Sequence, residues 1–211
     1  MIKNDYIIRL EKTEDYAETE NLVREAFWNV YKPGCDEHFV LHCLRKDTDF
    51  VPELDFVMEK DGRVIGQIVF VKAVISKDDG AVLPVLTFGP VCIHPDFHRQ
   101  GYGKILLDFA LEKARKMGFG TVLIEGNINF YRHCSLIYAR EYSIRYHGLP
   151  QAADDSFFLC KELEKGFLNG VTGEYSPPGG YFVSEERARD FEEYEKTFPP
   201  KEKLKLPGQL I

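Results

Sequence analysis

Two glycines one residue apart, Gly101 and Gly103, stand where a strand-like segment passes into a segment with helical periodicity. Main-chain N–H groups at such a junction, together with the helix dipole, favour an anion. A Walker A loop needs four residues between its glycines, then Lys and Ser or Thr, and this segment lacks both features. A dinucleotide fingerprint needs a third small residue where Leu106 stands. The spacing alone therefore indicates either an anion site or a tight strand-to-helix turn.

Gly89 and Pro90 interrupt the strand that precedes these glycines. Proline cannot donate to a sheet ladder, so the pair predicts a bulge or a splayed partner strand. A splay would leave the main-chain groups of Val91, Cys92 and Ile93 available to a ligand. An irregular sheet edge is the alternative.

The elements around these residues follow from the hydrophobic pattern, which predicts the order β-α-α-β-β-β-α-β-α-β-β. This order gives an α/β fold with one mixed sheet and helices on both faces. Asp61 and Gly62 mark a hairpin turn, and Gly118 stands at the C-cap of the helix that begins near Gly103. Glycine and proline cluster from about residue 166 onward, and the segment SEERARDFEEYEKTF that follows predicts one helix near the C terminus. We therefore predict one domain over residues 1–165 and a C-terminal extension over residues 166–211 that packs on the same domain.

Composition excludes some classes of partner. The 211 residues carry a formal net charge of −7, which argues against nucleic acid and weakly favours an amine-bearing partner. Five scattered cysteines favour free thiols in a reducing compartment. The N-terminal segment lacks a signal peptide's apolar core, and no apolar run is long enough for a bilayer. We expect a cytoplasmic protein with no membrane partner; a homodimer is left open.

Residues 94–107 resemble the pyrophosphate-binding motif of the GNAT superfamily of acyl-CoA-dependent N-acyltransferases. That motif is Gln/Arg-x-x-Gly-x-Gly/Ala preceded by Val/Ile-x-Pro, and His98 stands where Gln or Arg is usual. The resemblance implies a GNAT-type splayed central sheet flanked by helices and a loop that binds coenzyme A through its main chain. Asn127 either contacts pantetheine or caps a short helix. The predicted cofactor-binding residues are Val91, Cys92, Ile93, His98, Arg99, Gln100, Gly101, Tyr102, Gly103, Lys104 and Asn127.

The segment LIEGNINFYRHCSL is similar to the GNAT segment after the fifth strand, whose tyrosine lies beside the coenzyme A sulfur. Tyr131 matches that tyrosine, while Ser135 and Leu136 replace the usual Gly-Phe. The resemblance implies that Tyr131 protonates the leaving thiolate, since a phenol near pKa 10 and a thiol near 8.5 are matched for proton transfer. Glu125, at the end of a buried strand, is the predicted base, and His94 is the alternative. Flanking segments are similar to the YhbS-like branch.

Two further predictions concern the acceptor and metals. Trp28 and Tyr31 lie where the first helix–helix loop walls the acceptor pocket in GNAT proteins, so they are predicted to bind substrate. A second set has helical spacing that would permit a metal, although it matches no known zinc module; its members are Cys35, His38, His42 and Cys43. We predict no metal.

Taken together, the sequence predicts an N-acetyltransferase that moves an acetyl group from acetyl-CoA to a primary amine by direct attack in a ternary complex. The acceptor would be a small-molecule or peptide amine. No cysteine acyl-enzyme is required, because no cysteine has an evident base beside it. A catalytically inactive acyl-CoA-binding sensor or scaffold of the same fold is the main alternative, and a dinucleotide-binding domain is a lesser one.

Overall fold

The computed structural model describes residues 5–150 and 152–209 and divides the chain into two compact units. Unit 1 takes the described residues of Met1–Val69, Pro90–Leu106 and Gly179–Ile211, and unit 2 takes Phe70–Gly89 and Leu107–Pro178. Three elements contribute residues to both units: β3 (Arg63–Lys77), β4 (Val82–Ile93) and α3 (Tyr102–Lys116).

Unit 1 combines an antiparallel sheet with four helices. Its strands β1 (Ile7–Leu10) and β2 (Phe56–Lys60) pair with each other, and β2 pairs with the first half of β3. Asp61 and Gly62 join β2 to β3 with φ values of 52° and 77°, as a type I′ hairpin turn requires, so the predicted hairpin is confirmed. The helices are α1 (Tyr16–Phe27), α2 (Glu37–Leu44), α5 (Val183–Glu186) and α6 (Ala188–Glu195).

Unit 2 contains the point at which the sheet opens. Strand β5 (Thr121–Glu125) pairs antiparallel with β8 (Phe158–Glu162) along its whole length, but it pairs in parallel with β4 at a single position, Leu86 with Val122. Beyond that position β4 reaches Gly89, whose φ is 148°, and then Pro90, which has no N–H to donate. The predicted mixed α/β fold with a splayed sheet is thus confirmed.

Short elements complete unit 2. They are α4 (Ile128–Tyr131), β6 (Ile137–Tyr138), β7 (Ile144–Tyr146) and β9 (Gly173–Ser176). Strand β9 pairs antiparallel with β3 and in parallel with β7, while β6 pairs with β8. The sequence analysis missed β6 and β9, which are two and four residues long and too short for a clear periodicity signal.

Two helix predictions can be compared with the structure. Gly118 follows α3 with φ at 92°, which confirms the predicted C-cap. The single helix predicted near the C terminus is two helices, because Arg187 leaves helical geometry at φ −119° and ψ 44°. None of the helices in the described part of the chain has the length and apolarity that a bilayer crossing needs. The proposed boundary at residue 166 stays a prediction.

Candidate active site

The glycine loop of unit 1 presents main-chain amides ahead of α3. Ile105 donates the first helical hydrogen bond, to the Gly101 carbonyl at 3.1 Å, so the amides of residues 99–103 precede the helical ladder. Arg99 and Gly101 both have left-handed φ values, 61° and 87°. A Cβ at Gly101 would meet no described atom within 4 Å, so glycine is required here for its backbone conformation. The loop therefore combines main-chain amides that lie outside the helical ladder with open space at Gly101.

Side chains of the loop brace it from within. The Nε2–H of His98 donates to the Ile93 carbonyl at 2.8 Å, since a carbonyl can only accept. Gln100 Nε2 donates to the Asp96 carbonyl at 3.2 Å. His98, the departure from the family motif, thus ties the loop to the end of β4.

The side chain of Tyr102 packs against neighbouring aromatic rings. Its ring is 9% exposed and makes edge contacts with Tyr6 and Phe97 at centroid distances of 5.9 and 6.2 Å. Only its main chain is therefore available to a ligand. Lys104 and Arg99 are exposed.

The end of β4 holds the predicted main-chain contacts. Cys92 and Ile93 are buried and Val91 is half-buried. Burial raises the pKa of the Cys92 thiol to about 12, so it is a neutral thiol near pH 7 and a poor nucleophile. His94 has its pKa lowered by burial and by Arg63, which keeps the imidazole neutral. His94 therefore remains an alternative base.

In unit 2, the residues after β5 form a compact turn. Asn127 Oδ1 accepts from the Asn129 N–H at 2.8 Å and caps α4, which confirms that interpretation of Asn127. Gly126 N–H donates to the Phe157 carbonyl at 2.8 Å. A cofactor contact by Asn127 stays a prediction.

Tyr131 packs its ring against the main chain of Gly126. A Cβ at Gly126 would lie 2.4 Å from Cε2 of Tyr131, so glycine is required here for space. The Tyr131 ring also lies 4.9 Å from Phe130 and 6.0 Å from Phe88 between centroids. This ring is therefore held on three sides within unit 2.

At the position where the sequence departs from the tyrosine motif, the backbone still has a conformation typical of glycine. Ser135 is left-handed at φ 64°, and Leu136 is buried at 1% exposure. The Leu136 N–H donates to the Tyr131 carbonyl at 3.2 Å. Substitution of Gly-Phe by Ser-Leu thus preserves the turn that follows Tyr131.

Glu125 is exposed and has a partner that the sequence analysis missed. The hydroxyl of Tyr146 donates to Glu125 Oε1 at 2.6 Å. Burial and this carboxylate raise the pKa of Tyr146 above its ordinary value. Strands β5 and β7 are not paired with each other, so no local pattern predicts the contact.

The predicted acceptor residues lie in unit 1, beside the C-terminal segment. Trp28 Nε1 donates to the Glu202 carbonyl at 2.9 Å, and the Arg24 guanidinium lies 4.3 Å from the centroid of the Trp28 ring. Tyr31 is 46% exposed. Trp28 thus contacts other residues of unit 1, whereas the Tyr31 side chain is exposed.

The cysteine and histidine residues considered as metal ligands in the sequence make different side-chain contacts in the structure. His38 Nδ1 lies 3.6 Å from Cys35 Sγ, and its Nε2 lies 2.8 Å from Glu195 Oε2. His42 instead contacts Glu20 Oε1 at 3.0 Å. Within residues 5–150 and 152–209, no group of three or more His, Cys, Asp or Glu side chains is arranged to hold a metal ion.

Comparisons with known proteins fit this arrangement. Two solved structures share the fold: the GNAT family N-acetyltransferase YhbS from Escherichia coli in complex with CoA, and a GNAT family acetyltransferase from Brucella melitensis in complex with acetyl-CoA. The first has a TM-score of 0.72 and 24% identity over 84% of this chain and 92% of its own. The second has a TM-score of 0.65 and 22% identity over 83% of this chain and 97% of its own.

Sequence comparison leads to the same family. The uncharacterized N-acetyltransferase YjhQ of Escherichia coli (strain K12) is 28% identical over 92 residues, which are 43% of this chain and 50% of YjhQ. The match thus spans half the length of that relative. The model of the acetyltransferase (GNAT) family matches residues 11–135, more than half of the 211 residues. The chain belongs to the GNAT acetyltransferase family.

Proposed function

We propose that this protein is an N-acetyltransferase that transfers the acetyl group of acetyl-CoA to a primary amine in a ternary complex. The observation that carries the proposal is the glycine loop, whose amides precede the first helical hydrogen bond at Ile105 and whose Gly101 is left-handed. Such a loop suits the diphosphate of coenzyme A. The solved structures from E. coli and B. melitensis hold CoA and acetyl-CoA, which supports the same ligand here.

The proposed contacts divide between two parts of the cofactor. The amides of residues 99–104 bind the diphosphate, with His98 and Gln100 bracing the loop. The main chain of residues 91–93 and the side chain of Asn127 bind pantetheine. Trp28 and Tyr31 contribute to the acceptor side, where a small-molecule or peptide amine binds.

The proposed chemistry is direct attack. The amine nitrogen adds to the thioester carbonyl, its proton passes to Glu125, and the C–S bond breaks as the tetrahedral intermediate collapses. Tyr131 protonates the departing sulfur. His94 is the alternative proton acceptor. A neutral Cys92 thiol supports direct attack over an acyl-enzyme.

Substitution of Tyr131 by Phe tests turnover. We expect thiol release to fall about 100- to 1,000-fold because the general acid is lost, while acetyl-CoA affinity in calorimetry changes less than about twofold. Thiol release is measured with a panel of amines. A wild-type protein that binds acetyl-CoA and releases no thiol with any amine would establish the sensor or scaffold alternative.

Substitution of Gly101 by Ala tests the loop. The change forces a Cβ into a left-handed backbone at a cost of about 1–2 kcal/mol, and we expect acetyl-CoA binding to weaken about tenfold or more. Gly80→Ala is the matched control, because Gly80 has φ 86° in the turn between β3 and β4 and also has open space around it. Equal affinities of the two variants for acetyl-CoA would exclude the loop as the diphosphate site.

A further inference from the structure

We infer that Tyr146 is a positioning residue for the Glu125 carboxylate: its hydroxyl fixes Oε1, so that Oε2 is directed to the acceptor amine or to a bridging water. The inference rests on the proposed function, in which Glu125 takes the amine proton. Its basis is the 2.6 Å hydrogen bond from the Tyr146 hydroxyl to Oε1.

The ring of Tyr146 is held rigidly. It meets Phe157, Phe158 and Tyr175 at centroid distances of 5.2, 5.3 and 6.0 Å. Phe158 and Tyr175 are each 1% exposed, so two of these three contacts belong to the core of unit 2. The hydroxyl of such a ring has little freedom, and a carboxylate bound to it loses most of its rotation about the terminal bond.

The second oxygen of Glu125 remains available. Across the described part of the chain, Oε2 has no hydrogen-bond or ion-pair partner, and the residue is exposed at the end of β5. A single fixed oxygen therefore leaves a carboxylate that is oriented and has its second oxygen available to accept a proton. This is the geometry a proton acceptor needs.

The ionisable groups near Tyr146 have other hydrogen-bond partners. Tyr175 senses the Glu125 charge, but its own side-chain hydrogen bond is with Thr87. The ionisable residues on either side of Tyr146 in the chain also have other partners: Arg145 pairs with Asp78, and His147 contacts Glu174. Loss of the Tyr146 hydroxyl would therefore leave Oε1 of Glu125 without this donor and free the carboxylate to rotate.

Carbon-13 NMR of glutamate side chains tests the inference without any acceptor, with the Glu125 signals assigned by Glu125→Gln. Because the Tyr146 hydroxyl restrains Oε1, we expect Tyr146→Phe to shift the Glu125 carboxyl resonance and to lower the order parameter of this side chain in relaxation measurements at constant pH. Tyr175→Phe is the matched control, because it removes one hydroxyl from the same aromatic cluster and leaves the Tyr146–Glu125 hydrogen bond in place, so both observables stay as in the wild type. Incorporation of 3-fluorotyrosine at position 146 keeps the donor, and the order parameter then keeps its wild-type value.

Turnover provides the second readout. With an accepted amine, kcat falls about tenfold in Tyr146→Phe while the KM for acetyl-CoA stays constant, and the 3-fluorotyrosine protein keeps its kcat within about twofold of the wild type. An unchanged Glu125 resonance and order parameter in Tyr146→Phe overturn the inference even if the enzyme is fully active. A wild-type protein without turnover overturns the proposed function instead, and the NMR measurements then still decide whether Tyr146 positions Glu125.

Discussion

Glu195 in unit 1 and Glu125 in unit 2 each have a hydrogen-bond partner on a ring side chain, His38 and Tyr146 respectively. The two carboxylates differ in how many of their oxygens have partners. Glu195 Oε1 accepts from Arg24 Nε at 3.1 Å, and its Oε2 lies 2.8 Å from His38 Nε2. Arg24 and His38 are 1% and 0% exposed. Glu125 is exposed, and its described partner is the Tyr146 hydroxyl on one oxygen. Both oxygens of the Glu195 carboxylate have partners in the fold, whereas one oxygen of Glu125 has no partner among the described residues.

In the Glu195 cluster, formed by Glu195, Arg24 and His38, a side chain that resembles a metal ligand in the sequence is engaged in contacts of the fold. His38 lies against the rings of Phe191 and Phe198 at centroid distances of 6.0 and 5.1 Å. Arg24 also donates to the Pro199 carbonyl at 3.1 Å. The cluster therefore anchors α6 and the segment after it within unit 1. Burial with full partnering indicates a structural role, whereas the exposed Glu125 keeps one oxygen available for the role proposed for it.

The same isosteric change at both carboxylates gives the largest expected effects. Glu195→Gln removes the negative charge that a buried guanidinium requires, so we expect the free energy of unfolding to fall by about 2–4 kcal/mol in urea titrations. Glu125→Gln should leave the unfolding transition nearly unchanged and lower thiol release about 100-fold or more. Full turnover in Glu125→Gln would reject Glu125 as the base and make His94 the next residue to replace.

Gly126→Ala tests whether the Tyr131 ring needs its position. The new Cβ would overlap the ring, which must shift, and we expect kcat to fall about 10- to 100-fold with acetyl-CoA affinity nearly retained. Gly179→Ala is the control, because a Cβ there meets no described atom within 4 Å. Wild-type kcat in Gly126→Ala would mean that the reaction does not depend on where this ring lies.

The features that sequence reasoning found are local ones. Gly101 marks a left-handed residue before a helix, and Gly89 with Pro90 marks the opening of the sheet, since each acts through its own backbone. Contacts distant in sequence left no such signal: Tyr146 is 21 residues from Glu125, and Glu195 is 157 residues from His38. The Asn127 cap was foreseen, whereas the partners of Glu125 and His38 depend on tertiary packing.

His38 gives the structural cluster a pH dependence. Burial, as the largest cause, lowers the pKa of His38 despite the nearby Glu195, so the folded protein holds a neutral imidazole. Below the unfolded value near 6.5 the unfolded chain takes up a proton that the folded chain refuses, and stability falls as pH falls. We expect a loss of about 1 kcal/mol between pH 7.5 and 5.5 from this group.

Comparison with His38→Gln isolates this contribution. Asp55, whose pKa is raised to about 9 by burial and by Glu11, acts in the opposite direction over the same range, but it is common to both proteins. Urea titrations should show that the change in the free energy of unfolding from pH 7.5 to pH 5.5 is more favourable in His38→Gln than in the wild type by about 1 kcal/mol. Equal changes in the two proteins would mean that the folded and unfolded chains protonate His38 alike, which a direct NMR titration of its imidazole would also show.

The smallest expected effect is that of Ser135→Gly. This substitution tests whether the turn after Tyr131 favours stability or the proposed reaction. Ser135 holds a left-handed backbone that glycine adopts without a Cβ penalty, while glycine also gains more freedom in the unfolded chain. The two terms leave an expected gain of about 0.5–1 kcal/mol in the free energy of unfolding. Turnover should stay within about twofold, since the backbone conformation is already that of a glycine. A gain in kcat without a gain in stability would instead show that the serine distorts the turn beside Tyr131, so that this part of unit 2 limits the reaction.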